Sequence, residues 1–229
     1  MIEIMRKIVF YTAVFLAAAV FFSSDAGADE KRQAVDVAAT RIAVFPFRAL
    51  VAEEGTATVT CPVCSTGFSP GRILPGAEKI VEAVLIEALR EYKNIEIISA
   101  EKSEGVFKRT ETESLKSNLL NVCKKSGREL EADYVVVGFV FRYVERIGYD
   151  YSAEKPASVG FDVHVLPIKD GGSLWHGVFD KTQKSLMEDA FQISSFFKGG
   201  GKWLTVRQLT RQGMEEVLKK IPVFEREKK

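Results

Sequence analysis

The stretch ADYVVVGFVFRYVE, residues 132–145, decides the fold of this 229-residue chain. It is long and rich in valine and aromatic residues, which favour β-strands. Gly138 is its only interruption, and a glycine inside a strand indicates a bend or a close approach of the backbone. We therefore expect residues 132–145 to form the central strand of a sheet.

Two further strands are predicted after the central one. In SVGFDVHVLPI, residues 158–168, apolar side chains alternate with a second, more polar set. This pattern predicts that one face of the strand is buried and that the other is partly exposed to solvent. The first set is Val159, Phe161, Val163 and Val165, and the second is Gly160, Asp162, His164 and Leu166. The turn residues KDGG, 169–172, lead into SLWHGVFDKTQKSL, so these two strands should form an antiparallel hairpin.

The amino-terminal half alternates strands with helices. RIAVFPF, residues 41–47, is typical of a strand buried on both faces, and NIEIIS, residues 94–99, predicts another short strand. Apolar residues at three- and four-residue steps predict helices over 76–92 and 205–220. A helix is also predicted over 111–125. Its apolar face would consist of Leu115, Leu119, Val122 and Cys123, which places Cys123 in the core.

These elements follow the order β-α-β-α-β-β-β-α, which predicts an α+β fold with helices packed on a mixed sheet. We expect a single domain over residues 41–222. A polar leader, residues 29–40, precedes it, and a basic tail, residues 223–229, follows it.

Residues 1–28 are typical of a secretory signal peptide, because Arg6 and Lys7 precede an apolar run and small residues end the segment. The apolar run is shorter than the ~20 residues that a membrane-spanning helix needs, so retention as an anchor is the less favoured alternative. No cysteine lies at the expected cleavage point, which argues against a lipidated form. The mature protein is expected to begin at Asp29 and to be soluble in the periplasm.

Charge and motifs narrow the functional classes. The chain has 32 Lys and Arg against 31 Asp and Glu, a net charge of +1. Nucleic-acid binding needs an excess of basic side chains, so this balance argues against it. The sequence also lacks a phosphate-binding loop and a recognisable nucleophile motif, so we predict no enzymatic activity.

The connection between the first strand and the first helix, residues 48–75, carries the motif CPVC at positions 61–64. A connection of this length is typical of a functional segment. Attachment of a c-type haem requires a histidine directly after the second cysteine, and position 65 is serine. A thioredoxin-like site places a helix after the motif to lower the thiol pKa, but STGFSPG follows here.

Other uses of the cysteines remain open. In an oxidising compartment Cys61 and Cys64 can form a disulfide that stiffens the connection, with Cys123 reduced in the core and no cofactor bound. This is the interpretation that the sequence favours. A zinc site would need a third and a fourth ligand beside the pair, and the candidates are Cys123 and one of the two histidines, His164 and His176. Thiol redox chemistry at Cys61 and Cys64 is a further alternative.

The chain as a whole resembles the CsgG/TolB N-terminal-domain-like group of bacterial envelope proteins. The resemblance rests on RIAVFPF, on EADYVVVGFVFRY, on the hairpin FDVHVLPIKDGGSLWHGVFDKT and on the closing helix. It implies a CsgG/TolB-N-like sandwich and a non-enzymatic periplasmic protein that works through contacts in outer-membrane assembly or secretion.

Curli-type pores of this group have a lipidated cysteine and long membrane hairpins. Residues 148–158 and 188–203 are too short and polar for such hairpins, so a pore is not expected.

Aromatic residues of these two segments are the predicted contact surface. The expected partners are other envelope proteins or further copies of this chain, and peripheral association with the outer membrane would fit the same surface. The alternative is that these side chains cover the open side of the sheet. The candidate contact residues are Tyr149, Tyr151, Phe191, Phe196, Phe197 and Trp203.

Overall fold

The computed structural model describes residues 39–169, 173–183 and 202–222, which belong to one compact unit of the chain. The predicted signal peptide, nearly all of the polar leader and the basic tail lie outside the described residues. So do the centre of the predicted hairpin turn and the contact candidates Phe191, Phe196 and Phe197. Among the helices described, none combines the length and the apolar character needed to cross a bilayer.

Ten strands and four helices make up the described chain. The strands are β1 (Thr40–Val44), β2 (Arg48–Ala49), β3 (Val59–Thr60), β4 (Gly67–Phe68), β5 (Ile95–Ile97), β6 (Tyr134–Val144), β7 (Ile147–Tyr149), β8 (Ser152–Lys155), β9 (Ser158–Pro167) and β10 (Trp175–Thr182). The helices are α1 (Ala77–Leu89), α2 (Ala100–Glu113), α3 (Leu119–Glu129) and α4 (Val206–Leu218).

The main sheet has the order β10-β9-β6-β1-β5, and β2 extends the β1 side of β6. Strands β5, β1 and β6 run parallel to one another, whereas β6, β9 and β10 are antiparallel neighbours. The sheet is therefore mixed, and the prediction of an α+β fold with a mixed sheet is confirmed. β6 lies in the middle of the order, as its sequence predicted.

Helices cover both faces of this sheet. On one face α1 and α4 bury Leu85 and Leu209 against β-strand residues such as Phe161. On the other face α2 and α3 bury Phe107 and Val122 in a second apolar cluster. Because both faces of β6 are largely shielded from solvent, its sequence is a nearly continuous run of apolar residues.

The predicted helix over 111–125 is wrong, because the chain breaks there into two helices. α2 begins after Ser99, whose hydroxyl accepts a hydrogen bond from Lys102 N, and it ends at Glu113. α3 begins after Asn118, whose side chain accepts a 2.9 Å hydrogen bond from Asn121 N. Leu115, assigned to the apolar face of the predicted helix, lies in the break and is 84% exposed. The capping chemistry of Asn118 outweighs the apolar periodicity across the break.

The predicted partial solvent exposure of one face of β9 is also wrong. Every residue from Ser158 to Leu166 is buried. The connection that contains the cysteines folds back over the face that carries Asp162 and His164, and it adds Cys61 and Phe68 to the core on that side. Two polar side chains of β9 are thereby enclosed between the sheet and the connection.

Candidate metal centre

The two cysteines lie in the loop of a small hairpin formed by β3 and β4, which pair through Val59 and Phe68. The Phe68 ring stacks on the Phe141 ring of β6, with centroids 4.4 Å apart and planes 2° from parallel. Within the loop, Cys61 N donates a 2.9 Å hydrogen bond to Thr66 O, and Ser65 N donates a 3.0 Å hydrogen bond to Cys61 O. The stacked rings fix the loop on the sheet, and its hydrogen bonds fix the turn that carries the sulfurs.

Asp162 and His164 lie beneath this loop, on the same face of β9. They are two residues apart, and side chains at i and i+2 of a strand point the same way. Both side chains are fully buried. A carboxylate and an imidazole are thus held side by side, out of contact with solvent and facing the sulfurs of the loop.

Four potential ligand atoms of these residues converge. The Sγ atoms of Cys61 and Cys64, a carboxylate oxygen of Asp162 and a ring nitrogen of His164 all lie within 4.8 Å of one another. His164 Nε2 is 2.8 Å from Asp162 Oδ2 and 3.2 Å from Cys61 Sγ. Cys64 Sγ is 3.6 Å from Asp162 Oδ2. Two segments that are far apart in the sequence therefore meet at one point.

Three of these separations are close to the edges of a zinc coordination tetrahedron. With Zn–N and Zn–O bonds near 2.05 Å and Zn–S bonds near 2.3 Å, tetrahedral edges are about 3.3 Å between N and O and about 3.6 Å between S and N or O. The distances from His164 Nε2 to Asp162 Oδ2, from His164 Nε2 to Cys61 Sγ and from Cys64 Sγ to Asp162 Oδ2 differ from these values by about 0.5 Å or less. Small outward shifts of the side chains would admit the ion.

The same geometry argues against a cysteine nucleophile. In a nucleophile–histidine–carboxylate triad the histidine uses one ring nitrogen for the nucleophile and the other for the carboxylate. Here Nε2 of His164 contacts both Cys61 and Asp162. Burial also raises the pKa of the Cys61 thiol to about 12, so the free thiol is not activated. A metal ion, in contrast, deprotonates the thiols that it binds.

The backbone of the turn supports a charged sulfur at Cys61. Val63 N donates to Cys61 Sγ at 3.4 Å, and the Cys64 backbone amide also interacts with this sulfur. These hydrogen-bond donors favour the thiolate and so lower the pKa of the Cys61 thiol, whereas burial raises it. Two thiolates and a carboxylate around a divalent ion leave one net negative charge, which these amides help to stabilise.

The enclosed polar atoms indicate that a partner is needed. Asp162 Oδ1 and His164 Nδ1 are buried and form no hydrogen bond within the described structure. A buried carboxylate is costly unless it is paired with a charge or coordinates a metal, and no cationic Lys or Arg is paired with Asp162 among the described residues. A cation at the cluster would supply that pairing.

The structure brings together two of the three predicted cysteines, Cys61 and Cys64, and leaves Cys123 apart from them. Cys61 and Cys64 are free thiols in the structure, and their predicted pairing as a disulfide stays a prediction. Cys123 lies in α3, fully buried in the second apolar cluster and outside the group of four ligand atoms. Burial raises its pKa to about 12, in keeping with the predicted reduced core residue.

Asp162 was not among the residues predicted for the site, and His164 was named only as one of two possible histidines. The sequence signal that could have identified them is the pattern D-x-H within a strand, which places both side chains on one face. It remained uninformative because that face was expected to be partly solvated.

The described contact candidates cluster on the β7–β8 hairpin and beside it. Tyr149 and Tyr151 are 83% and 73% exposed, and Ile147 is 51% exposed. Trp203 N donates a 2.6 Å hydrogen bond to Asp150 O, which fastens the residue to the turn of the hairpin. The structure therefore places Tyr149, Tyr151 and Trp203 in one region of the surface.

Comparisons with known proteins give only distant structural likenesses. No protein-family model and no curated protein matches the chain. The PelC dodecamer from Paraburkholderia phytofirmans is 14% identical over 82% of this chain and 90% of its own, with a TM-score of 0.45. CT253 from Chlamydia trachomatis is 15% identical over 80% and 95%, with a TM-score of 0.44.

The lipoprotein GNA1162 from Neisseria meningitidis is 13% identical over 71% of this chain and 98% of its own, with a TM-score of 0.39. Each of these proteins is bacterial. Because all three TM-scores are below 0.5, no property of these proteins is carried over to this chain. The expected kinship with the CsgG/TolB group stays a prediction.

Proposed function

We propose that this protein binds one zinc ion through Cys61, Cys64, Asp162 and His164, as a non-enzymatic protein of the periplasm. The observation that carries this proposal is the convergence of the four ligand atoms within 4.8 Å around a carboxylate that, among the described residues, is paired with no Lys or Arg. Two thiolates and an imidazole are ligands typical of zinc, and carboxylate is also common. Calcium and magnesium are disfavoured because they prefer oxygen ligands.

The coordination set points to a structural role for the ion. Four protein ligands fill a tetrahedral site, whereas catalytic zinc sites keep one position for water or substrate. Two ligands belong to the long connection and two to β9, so the ion joins the connection to the sheet. The bound ion would fix the surface formed by the connection, residues 48–75, and this surface would be available for contacts.

Zinc binding is tested by titration of the metal-free, reduced protein. We expect one zinc ion per chain, and we expect Cys64→Ser to weaken binding at least 100-fold because a ligand atom is replaced by a poor one. Cys64 is partly exposed, so this change should leave the fold intact. The measurement is competition with a chelator of known affinity, together with the mass of the native complex.

Cys123→Ala is the matched control for this titration. It also removes a thiol, but from the core rather than from the cluster. It should lower stability without changing the stoichiometry or the affinity. Equal loss of zinc binding in Cys64→Ser and Cys123→Ala, or no binding by the unmodified protein, would contradict the proposal.

A second function, action through protein contacts in the cell envelope, is favoured by the β7–β8 hairpin. Of the large apolar side chains that are exposed in the described structure, Ile147, Tyr149 and Tyr151 lie together on this hairpin. Tyrosine is enriched at protein interfaces, because it combines a large apolar ring with a polar end. The hairpin surface is proposed to bind other envelope proteins or a second copy of the chain.

The contact function predicts that Tyr149→Ser combined with Tyr151→Ser removes partner capture from an envelope extract and self-association in solution. The Tm should change by less than about 2 °C, because exposed side chains contribute little to stability. Cross-linking and sedimentation report the two kinds of partner. Leu115→Ser is the control, since Leu115 is 84% exposed and lies in the break between α2 and α3. Unchanged association in the double tyrosine variant would contradict this function.

A further inference from the structure

The four-ligand centre is shielded from solvent on most sides, which raises the question of how an ion reaches it. Cys61, Asp162 and His164 are at most 1% exposed. Cys64 is partly exposed, so the cluster meets solvent near this residue. A hydrated divalent ion must exchange its water molecules for protein ligands along the way. A ligand at the boundary between solvent and cluster would help this exchange.

His176 lies at a second point where the cluster approaches solvent, beside Asp162 and His164. It lies on β10 directly opposite His164 in the strand register, so the two rings are on the same face of the sheet. The ring centroids are 5.7 Å apart and the planes are inclined by 29°. The side chain of His176 is 44% exposed, whereas that of His164 is fully buried. The two histidines therefore lead from solvent to the cluster.

Asp162 connects these two histidines through its two oxygens. Oδ2 faces the inner cluster and lies 2.8 Å from His164 Nε2. Oδ1 has no hydrogen-bond partner and lies 3.8 Å from His176 Nδ1. This separation is close to the about 3.3 Å between an N and an O ligand of one zinc ion. Asp162 Oδ1 and His176 Nδ1 can thus hold an ion between them before it reaches the sulfurs.

We propose that His176 and Asp162 form an outer metal site that passes a divalent ion to the inner centre of Cys61, Cys64, Asp162 and His164. The ion first binds His176 Nδ1 and Asp162 Oδ1. It then moves to Oδ2 of the same carboxylate, loses His176, and gains His164 Nε2 and the two sulfurs while two thiol protons leave to solvent. This inference rests on the proposed zinc binding and concerns the route rather than the final ligands.

A group that binds the ion only in transit has a specific kinetic signature. It lowers the barrier for uptake and for release by the same amount, so it changes both rate constants equally and leaves their ratio, the Kd, unchanged. A residue that orients an inner ligand behaves differently, because its loss typically weakens metal affinity 10–100-fold. The rates and the Kd together therefore separate the two roles.

The experiment uses Co²⁺ alone as the probe, because its visible absorption reports tetrahedral thiolate coordination. Uptake is followed after rapid mixing with the metal-free protein, and release after mixing the loaded protein with excess chelator. For His176→Gln we expect uptake and release each to slow about tenfold, with an unchanged Kd. Val178→Ala is the matched control, because Val178 lies opposite Asp162 on the same strand as His176 and offers no ligand atom. Its rates should not slow.

Three results would overturn the outer site. Unchanged rates in His176→Gln would show that His176 takes no part in uptake. Faster release with a weaker Kd would make it an orienting residue for Asp162 instead. Equal slowing in Val178→Ala would assign the effect to the shape of the strand surface. Failure of the unmodified protein to bind Co²⁺ is a separate outcome, which would reject the inner centre and the outer site with it.

Discussion

Zinc is expected to raise the Tm of the metal-free, reduced protein by about 8–16 °C when free Zn²⁺ is a thousand times its Kd. Binding to the folded state alone then contributes about 4.1 kcal/mol. For a chain of this size each kcal/mol corresponds to about 2–4 °C in Tm. Thermal unfolding by circular dichroism, with and without Zn²⁺, measures the shift.

The ligand variants supply the controls for this shift. Cys64→Ser should lose most of the increase while keeping the Tm of the metal-free protein, and Mg²⁺ should give no increase because the site is rich in sulfur. An equal increase with Zn²⁺ in Cys64→Ser would mean that zinc acts elsewhere on the chain. The reducing agent must be one that does not bind zinc, so that thiol oxidation and metal removal remain distinct.

Phe141→Ala is expected to lower the free energy of unfolding by about 3–5 kcal/mol, the usual cost of truncating a buried phenylalanine. The Phe141 ring is fully buried, and it fills the space above Gly160, where an added Cβ would lie 2.2 Å from a ring carbon. It also stacks on Phe68, which anchors the cysteine loop. Chemical denaturation of the metal-free protein measures the loss.

Leu115→Ala provides the comparison for Phe141→Ala. Leu115 is 84% exposed in the break between α2 and α3, so its truncation should change stability by less than about 0.5 kcal/mol. Because Phe141 holds Phe68, its truncation should also weaken zinc binding, whereas truncation of Leu115 should not. A loss below 1 kcal/mol in Phe141→Ala would contradict the packing described for the loop.

The sequence predicted those parts of the fold that depend on local patterns. The apolar runs of β1 and β6, the alternating pattern of β9 and the helical periods of α1 and α4 arise from neighbours a few residues apart, and each of these elements is present. The predicted second helix was wrong because apolar periodicity continued across residues 114–118, where the side chain of Asn118 begins a new helix.

Half of the candidate centre could be predicted and half could not. Cys61 and Cys64 stand out because the motif is local. Their proximity to Asp162 and His164 depends on how the connection folds back onto β9, and no periodicity in the sequence reports that path. The same fold-back made the wetter face of β9 an incorrect expectation, since the segment that covers it lies about a hundred residues away.

The distance in sequence between the two halves of the centre has a consequence for biogenesis. Cys61 precedes His164 by 103 residues, so a chain that emerges amino end first presents both thiols well before their other ligands. During this interval the two neighbouring sulfurs lack Asp162 and His164, and an oxidising compartment favours a disulfide between them. The state of the two cysteines then depends on whether they are oxidised before β9 forms. If the proposed zinc site forms, a reduced, metal-loaded molecule would require β9 to form before the thiols oxidise.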